Sequence, residues 1–234
     1  MSKIVTGLVA LGLAAGLAGC GGSSGGSSAA SNASSSPTQT AGSAAASPTS
    51  SASTSSSAEP TTALTDAQLA TALLRRSDAP KGYVTQPPPP RTPSVFLCNS
   101  KFNDPRQGVA GATFFKPKNG PEVQEQLISY ASPTVAKRTF DAAVQAAQSC
   151  THFTSHGQKV TVGTLARPDV GDDAAAVQLS IKTQGQSVTA DSLHVRLGSV
   201  QMDLQVIGLG DASVLQAILQ QAAGQALARL QRLG

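Results

Sequence analysis

The sequence predicts an α+β domain in which three helices pack on one face of a central antiparallel β-sheet, with one disulfide. Three observations carry this expectation. Apolar residues alternate in Val160 and Val162, in Val177, Leu179 and Ile181, in Leu193, Val195 and Leu197, and in Val200, Met202, Leu204 and Val206, the period of half-buried strands. Apolar residues at helical spacing, preceded by capping residues, mark three helices. Strands joined by short turns pair antiparallel, and helices with one apolar stripe each need the sheet's apolar face to cover.

The first 62 residues stand apart from this domain. Lys3 precedes an apolar stretch from Ile4 to Leu17, too short to span a bilayer, and Leu17-Ala18-Gly19-Cys20 closes it. The run resembles a bacterial lipoprotein signal. That resemblance implies a signal peptide over residues 1–19, lipidation of Cys20 by a diacylglyceryl group, and acyl chains such as palmitate holding the chain to the cell membrane. From Gly21 to about Thr62 the chain is nearly all Gly, Ser, Ala, Thr and Pro, a composition that cannot bury enough apolar area to order itself. Residues 20–62 are expected to form a tether with a reach of roughly 35 Å. Residues 63–234 make one globular domain.

Composition excludes some function classes. Without Lys3 the mature chain would carry 16 Lys+Arg against 13 Asp+Glu, a net +3 with no block of like charge, and aromatic residues are only 3%. A nucleic-acid binder would need a basic stripe or stacking aromatics, so no nucleic-acid partner is expected. After Cys20 only Cys98 and Cys150 remain, and an even pair in an exported chain reads as a disulfide. There is no Cys-x-x-Cys, and His152, His156 and His194 form no ligand set with the sulfurs, so no metal or cofactor is expected.

Along the domain, Thr65 and Gln68 form a capping box and Leu64 and Leu69 a hydrophobic staple, predicting a helix over about Asp66 to Arg76 that Pro80 and Gly82 end. Pro87 to Pro90 must be extended polyproline II, read as a surface strap. Gly108 to Lys116 and Val123 to Ala131 read as strands. Ser132-Pro133 is an N-cap followed by proline at the first helical position. Ala136, Phe140, Ala143, Val144 and Ala147 then carry a second helix to about Ser149. Four strands follow, and Ser213 with Gln216 form a capping box for a C-terminal helix through Leu215, Ile218, Leu219, Ala222, Ala226 and Leu230.

Gly198-Ser199 fits a two-residue hairpin of type II′. Pairing Leu197 with Val200 places Val195 opposite Met202 and Leu193 opposite Leu204 on the buried face, with His194 opposite Asp203 and Arg196 opposite Gln201 on the other. The polar face carrying Gln178, Lys182, His194, Arg196, Gln201, Asp203 and Gln205 is read as the solvent side of a one-sided sheet. The alternative is the floor of a binding site, with His194, Arg196 and Asp203 as its candidate residues. No catalytic constellation is found: there is no Gly-x-Ser-x-Gly elbow, Asp169, Asp172 and Asp173 around Gly171 read as turn chemistry, and Gly208-Leu209-Gly210 lacks a third glycine.

The signal, the tether, Tyr130-Ala131-Ser132-Pro133-Thr134-Val135-Ala136 leading through Phe140 to Cys150, Val170-Gly171-Asp172-Asp173-Ala174 and Val195-Arg196-Leu197-Gly198 together resemble the actinobacterial sensor-domain lipoproteins of the PknH-like extracellular domain family. The resemblance covers about Leu64 to Leu233. It implies an exported α+β domain with a central antiparallel sheet and a ligand-sensing cleft. The chain departs from the family in having one cysteine pair where the kinase domain usually has two, and in lacking tryptophan. No binding residue carries over. The expectation is a membrane-anchored, extracytoplasmic and non-enzymatic envelope lipoprotein that binds a small ligand, lipid or wall fragment between sheet and helix. An interaction or assembly module docking an envelope protein partner is one alternative, and a lipid carrier another.

Overall fold

The computed structural model describes residues 59–88, 96–98, 100–101, 105–155, 157–183 and 185–233. The expected signal peptide, Cys20, nearly all of the tether, Pro89, Pro90 and His156 lie outside the described residues. Those described form α1 (Asp66–Ala72), β1 (Val84–Gln86), β2 (Phe96–Leu97), β3 (Ser100–Lys101), β4 (Arg106–Phe115), β5 (Glu122–Tyr130), α2 (Pro133–Gln148), β6 (His152–Ser155), β7 (Gln158–Thr164), β8 (Asp173–Thr183), β9 (Gln186–Leu197), β10 (Val200–Leu209) and α3 (Ala212–Leu230), with a terminal 3-10 turn (Gln231–Leu233). One antiparallel sheet runs in the order β1-β4-β5-β10-β9-β8-β7-β6, and β2 pairs with β3. The antiparallel sheet, the three helices and the Cys98–Cys150 disulfide are those the sequence predicts.

The central hairpin has the predicted register. Leu197 pairs with Val200, Val195 with Met202, Leu193 with Leu204, His194 with Asp203 and Arg196 with Gln201. Gly198 at the first turn position has φ +57°, and a Cβ there would strike the Pro60 carbonyl. Ser199 takes both ends of the segment before α1: its N–H donates to the Pro60 carbonyl (2.6 Å) and its hydroxyl to that of Thr62 (2.8 Å). Docking on the globule therefore includes Pro60, ahead of the boundary expected at residue 63.

The helices divide between the two faces, which corrects the expectation that all three share one. On the first face Leu127, Leu193, Val195, Met202, Leu204 and Val206 pack with Leu69 of α1 and Leu215, Leu219, Ala222, Ala226 and Leu230 of α3. α2 lies on the other, where Ala136 packs with Val109, Ile128 and Tyr130. The physical reason is that β4 and β5 are apolar on both sides: consecutive Val109 and Ala110, and Leu127 and Ile128, are all buried. Beyond α2 the same face has a small core of its own, Phe153, Val160, Val162 and Ile181, against which Cys98 and Cys150 pack.

β8 also differs in parity. Its pairing sets Ile181 opposite Val188, Val177 opposite Ser192 and Ala175 opposite His194, so Val177, Leu179 and Ile181 share the α2 face. Gln178 and Lys182 consequently lie on the first face, where the Gln178 amide donates to Asp191 Oδ1 at 2.8 Å.

α1 has its predicted capping box but ends four residues early, at Ala72. Leu73 is extended and the Leu74 N–H donates to Glu125 Oε2 (2.6 Å) instead of continuing the helix. Arg229 of α3 donates through Nε to the Leu73 carbonyl (2.7 Å) and through Nη2 to that of Thr71 (3.2 Å), satisfying carbonyls that a helix end leaves open. α3 begins one residue before the predicted cap, Ser213. Asp211 is the N-cap, accepting from the Ser213 N–H at 2.8 Å, because its carboxylate sits where the first turn's amides point.

Two outcomes follow from this packing. The bridge closes a loop of sequence separation 52, so Cys98→Ser/Cys150→Ser should lower unfolding free energy in urea by up to about 4 kcal/mol. Burial pushes the Glu125 carboxyl from 4.5 up to about 7, against the opposing Leu74 N–H and Arg229 charge. The folded state holds this proton where the unfolded state has released it, so the contribution is unfavourable as pH rises from about 4.5 to about 7. Glu125→Gln should match the parent near pH 4.5 and exceed its stability at pH 8 by about 3 kcal/mol, measured by urea unfolding at both values.

Candidate functional site: a cleft between helix α2 and the sheet

α2 covers the sheet face that the sequence reading gave to solvent, and its coverage leaves a cleft of about 270 Å³. The helix starts where predicted, with Ser132 Oγ accepting from the Val135 N–H and Pro133 in the first turn. Helical periodicity then aims Phe140, Ala143, Val144 and Ala147 at the sheet, and the small alanine side chains leave space beneath the helix unfilled. Ile128 and Tyr130 form one wall, Ala174 to Val177 the other, and Thr164, Leu165 and Arg167 of the segment after β7 the rim.

The floor is polar. His194, Gln201 and Asp203 enter it from paired positions on β9 and β10. His194 Nδ1 meets Asp203 Oδ1 at 2.7 Å, the Gln201 amide donates to the same oxygen at 3.0 Å, and the Tyr130 hydroxyl donates to Gln201 Oε1 at 3.3 Å. These four side chains form one continuous hydrogen-bonded chain across β5, β10 and β9. Arg106 stands opposite Tyr130 on β4 and acts electrostatically on Tyr130 and Asp203.

Burial alone would depress the His194 pKa, but the Asp203 carboxylate outweighs it and holds the imidazole above its ordinary 6.5. Burial would likewise raise Asp203, yet His194, Gln201 and Arg106 together keep it below 3.8. Burial, helped by the Asp203 charge, pushes the Tyr130 phenol up, so it remains a hydrogen-bond donor across ordinary pH. The floor therefore carries an ion pair over a broad pH range, with 33% of the His194 side chain and 23% of the Asp203 side chain open.

Of the three candidate residues, the structure brings His194 and Asp203 together in the cleft and turns Arg196 elsewhere. Arg196 Nε donates to Asp173 Oδ2 and Nη1 to Asp172 Oδ2, both at 2.7 Å, and Nη1 also reaches the Gly198 carbonyl at 3.1 Å. Asp172 Oδ2 accepts a further bond from the Gly198 N–H at 2.8 Å. The aspartates read as turn residues thus clamp the hairpin. Gly171 has to be glycine in this arrangement, since a Cβ would meet Val195 Cγ1 and the Arg196 carbonyl. Gln205 lies on the cleft face but outside the cleft, donating to Ser192 Oγ at 2.8 Å. Tyr130, Ile128 and Arg106 escaped sequence reasoning as site residues. Their signal was the unbroken apolar run Leu127-Ile128 and Tyr130 two residues on, a strand covered on both faces.

Among solved structures, the chain is similar to the extracellular domain of PknH from Mycobacterium tuberculosis, with 10% identity over 50% of this chain and 63% of that one at a TM-score of 0.39. It is also similar to LpqN, involved in cell envelope biogenesis of Mycobacterium tuberculosis, with 12% identity over 64% of this chain and 78% of that one at a TM-score of 0.24. The chain thus spans less than two thirds of the PknH domain's length. The first bears the name of the family that the sequence motifs resemble. No family model and no curated protein matches the chain.

The clamp makes a prediction of its own. Arg196 is only 10% exposed, so Arg196→Met leaves two carboxylates facing each other without their cation and should cost about 2 to 4 kcal/mol in urea unfolding. Arg196→Lys should recover less than half of that loss, because a single ammonium cannot reproduce the guanidinium fork.

Proposed function

We propose that this chain is a membrane-anchored, extracytoplasmic envelope lipoprotein whose domain binds a small amphiphilic ligand in the α2 cleft and does not transform it. The observation that carries the reading is the cleft: apolar walls with one converging polar floor, the usual composition of a small-molecule site, at about 270 Å³ just below the ordinary range of about 300 to 1,000 Å³. That volume equals roughly nine waters at about 30 Å³ each. Leu17-Ala18-Gly19-Cys20 supports the anchor, and the Cys98–Cys150 bridge suits an oxidising compartment outside the cytoplasm.

Binding without turnover fits the lining. His194 and Asp203 resemble a general-base pair, but no serine or cysteine is among the residues that line the cleft; of its two threonines, Thr139 donates its hydroxyl to the Val135 carbonyl at 3.0 Å and Thr164 lies at the rim. A diacyl lipid carrier would need a larger and wholly apolar cavity, so the polar floor favours a compact ligand with one polar head.

The fluorescent dye 8-anilinonaphthalene-1-sulfonate tests the cleft, free of tryptophan background because the chain has none. One dye per domain should bind with blue-shifted emission. Ala143→Phe, which fills the cleft from α2, should weaken binding at least tenfold with an unchanged melting temperature. Undiminished dye binding in that variant would overturn the assignment.

A further inference from the structure

We propose that the ligand of this cleft is a small monoanion, an acyl or aryl carboxylate whose head meets the Nε2 edge of His194 and whose apolar body lies along α2. The inference rests on the cleft being the binding site and adds the chemistry of what it holds. It starts from the imidazole's orientation. With Nδ1 bonded to Asp203 at 2.7 Å, the 1,3-arrangement of the ring points Nε2 the opposite way, and no described residue bonds it. A nitrogen fixed in direction, partly open and without a protein partner is a hydrogen-bonding position left for something else.

The charges around that position select the sign of the ligand. Sharing the lining with His194 are Asp203 from β10, Tyr130 from β5 and Arg167 from the segment after β7; Arg106 of β4 acts on Tyr130 and Asp203 from outside the lining, and α2 presents only uncharged groups to the cleft. Asp203 is the one anion among them, and His194, Gln201 and Arg106 already compensate it. With His194 protonated, the lining holds two cations, His194 and Arg167, against the one carboxylate of Asp203. A neutral amphiphile would leave that excess uncompensated in a cleft of low polarity, whereas a carboxylate completes it with a charge-assisted N–H···O bond.

The pairing also couples binding to protons. Protonated His194 donates from Nε2 to an anionic head; deprotonated, it presents a lone pair that repels one. Asp203 extends the protonated form above ordinary imidazole pH, so capture of the anion weakens as pH rises through the histidine's folded range. Arg167 at the exposed rim adds attraction that salt screens.

Isothermal titration with sodium octanoate and with 1-octanol compares the same tail under two heads, at about pH 6 and about pH 9 and constant ionic strength. Octanoate should bind at least tenfold tighter than octanol at the lower pH, and this advantage should shrink about tenfold at the higher. His194→Gln should erase both the head-group preference and its pH dependence while still taking octanol. Arg167→Gln, at an exposed position that spares the fold, should weaken octanoate a few-fold and lower its salt dependence. Ala143→Phe should take neither molecule. Equal binding of octanoate and octanol overturns the anion assignment and leaves the cleft standing. Failure of both to bind overturns the assignment too, with the dye experiment deciding the cleft separately. Octanoate binding that survives Ala143→Phe, or a preference that survives His194→Gln, places the head elsewhere and also overturns it.

Discussion

The register of the β9–β10 hairpin is the constraint on which the two faces of this domain depend. Side chains alternate with period two, so pairing Leu197 with Val200 sends Val195, Met202, Leu193 and Leu204 toward α1 and α3 and sends His194, Gln201 and Asp203 toward α2. A slip of one residue would bury the ion pair under α3 and expose the core. Several contacts resist it at the turn itself: Gly198 supplies the positive φ, Asp172 binds its N–H, Arg196 binds its carbonyl, and Pro60 and Thr62 take the N–H and hydroxyl of Ser199. Val170-Gly171-Asp172-Asp173-Ala174 and Val195-Arg196-Leu197-Gly198, two loose motifs in sequence, are the two halves of this clamp.

That clamp explains why so much of the fold was legible. A turn residue with a unique steric role, followed by strict alternation, determines a register without reference to anything distant, and the same locality made the α1 capping box and the Ser132-Pro133 start of α2 readable. Some failures were non-local and others were local signals misread, such as the α3 cap at Asp211. α1 stops at Ala72 because Glu125, 51 residues away, takes the Leu74 N–H, and no periodicity within the helix records that. The face of β8 follows from a second tight turn that sets Thr183 opposite Gln186, and applying the hairpin logic of Gly198-Ser199 to Gly185 would have placed Ile181 with His194 rather than with Leu193. The cleft was half legible: His194 and Asp203 came from pairing, but their burial required knowing that α2 crosses their face.

A polar chain between a sheet and a helix is an unusual use of core space. Tyr130, Gln201, Asp203 and His194 lie where leucines would pack with less desolvation, and an ion pair in such a place is often no more stabilising than an apolar substitute. What the network does supply is direction. Each side chain is oriented by the next, ending in an imidazole whose remaining nitrogen has one heading, and networks of this kind hold a geometry more firmly than isolated bonds do. α2 contributes complementary looseness, since Ala143 and Ala147 leave open the volume that larger residues would occupy.

The two faces also respond to protons in the same sense. On the first, Glu125 prefers to be neutral, and its contribution deteriorates from about pH 4.5 to about pH 7. On the second, the raised His194 pKa means that its favourable pairing is complete below ordinary imidazole pH and fades above it. The lowered Asp203 keeps that pairing intact until pH falls below the usual carboxylate range. Three groups on neighbouring strands thus bound one mildly acidic window, above the titration of Asp203 and below those of Glu125 and His194. Within it the Glu125 carboxyl is held neutral and the His194–Asp203 pair is complete. Protons on Glu125 and on His194 therefore act on stability in the same direction, although the two side chains sit on opposite sides of the sheet.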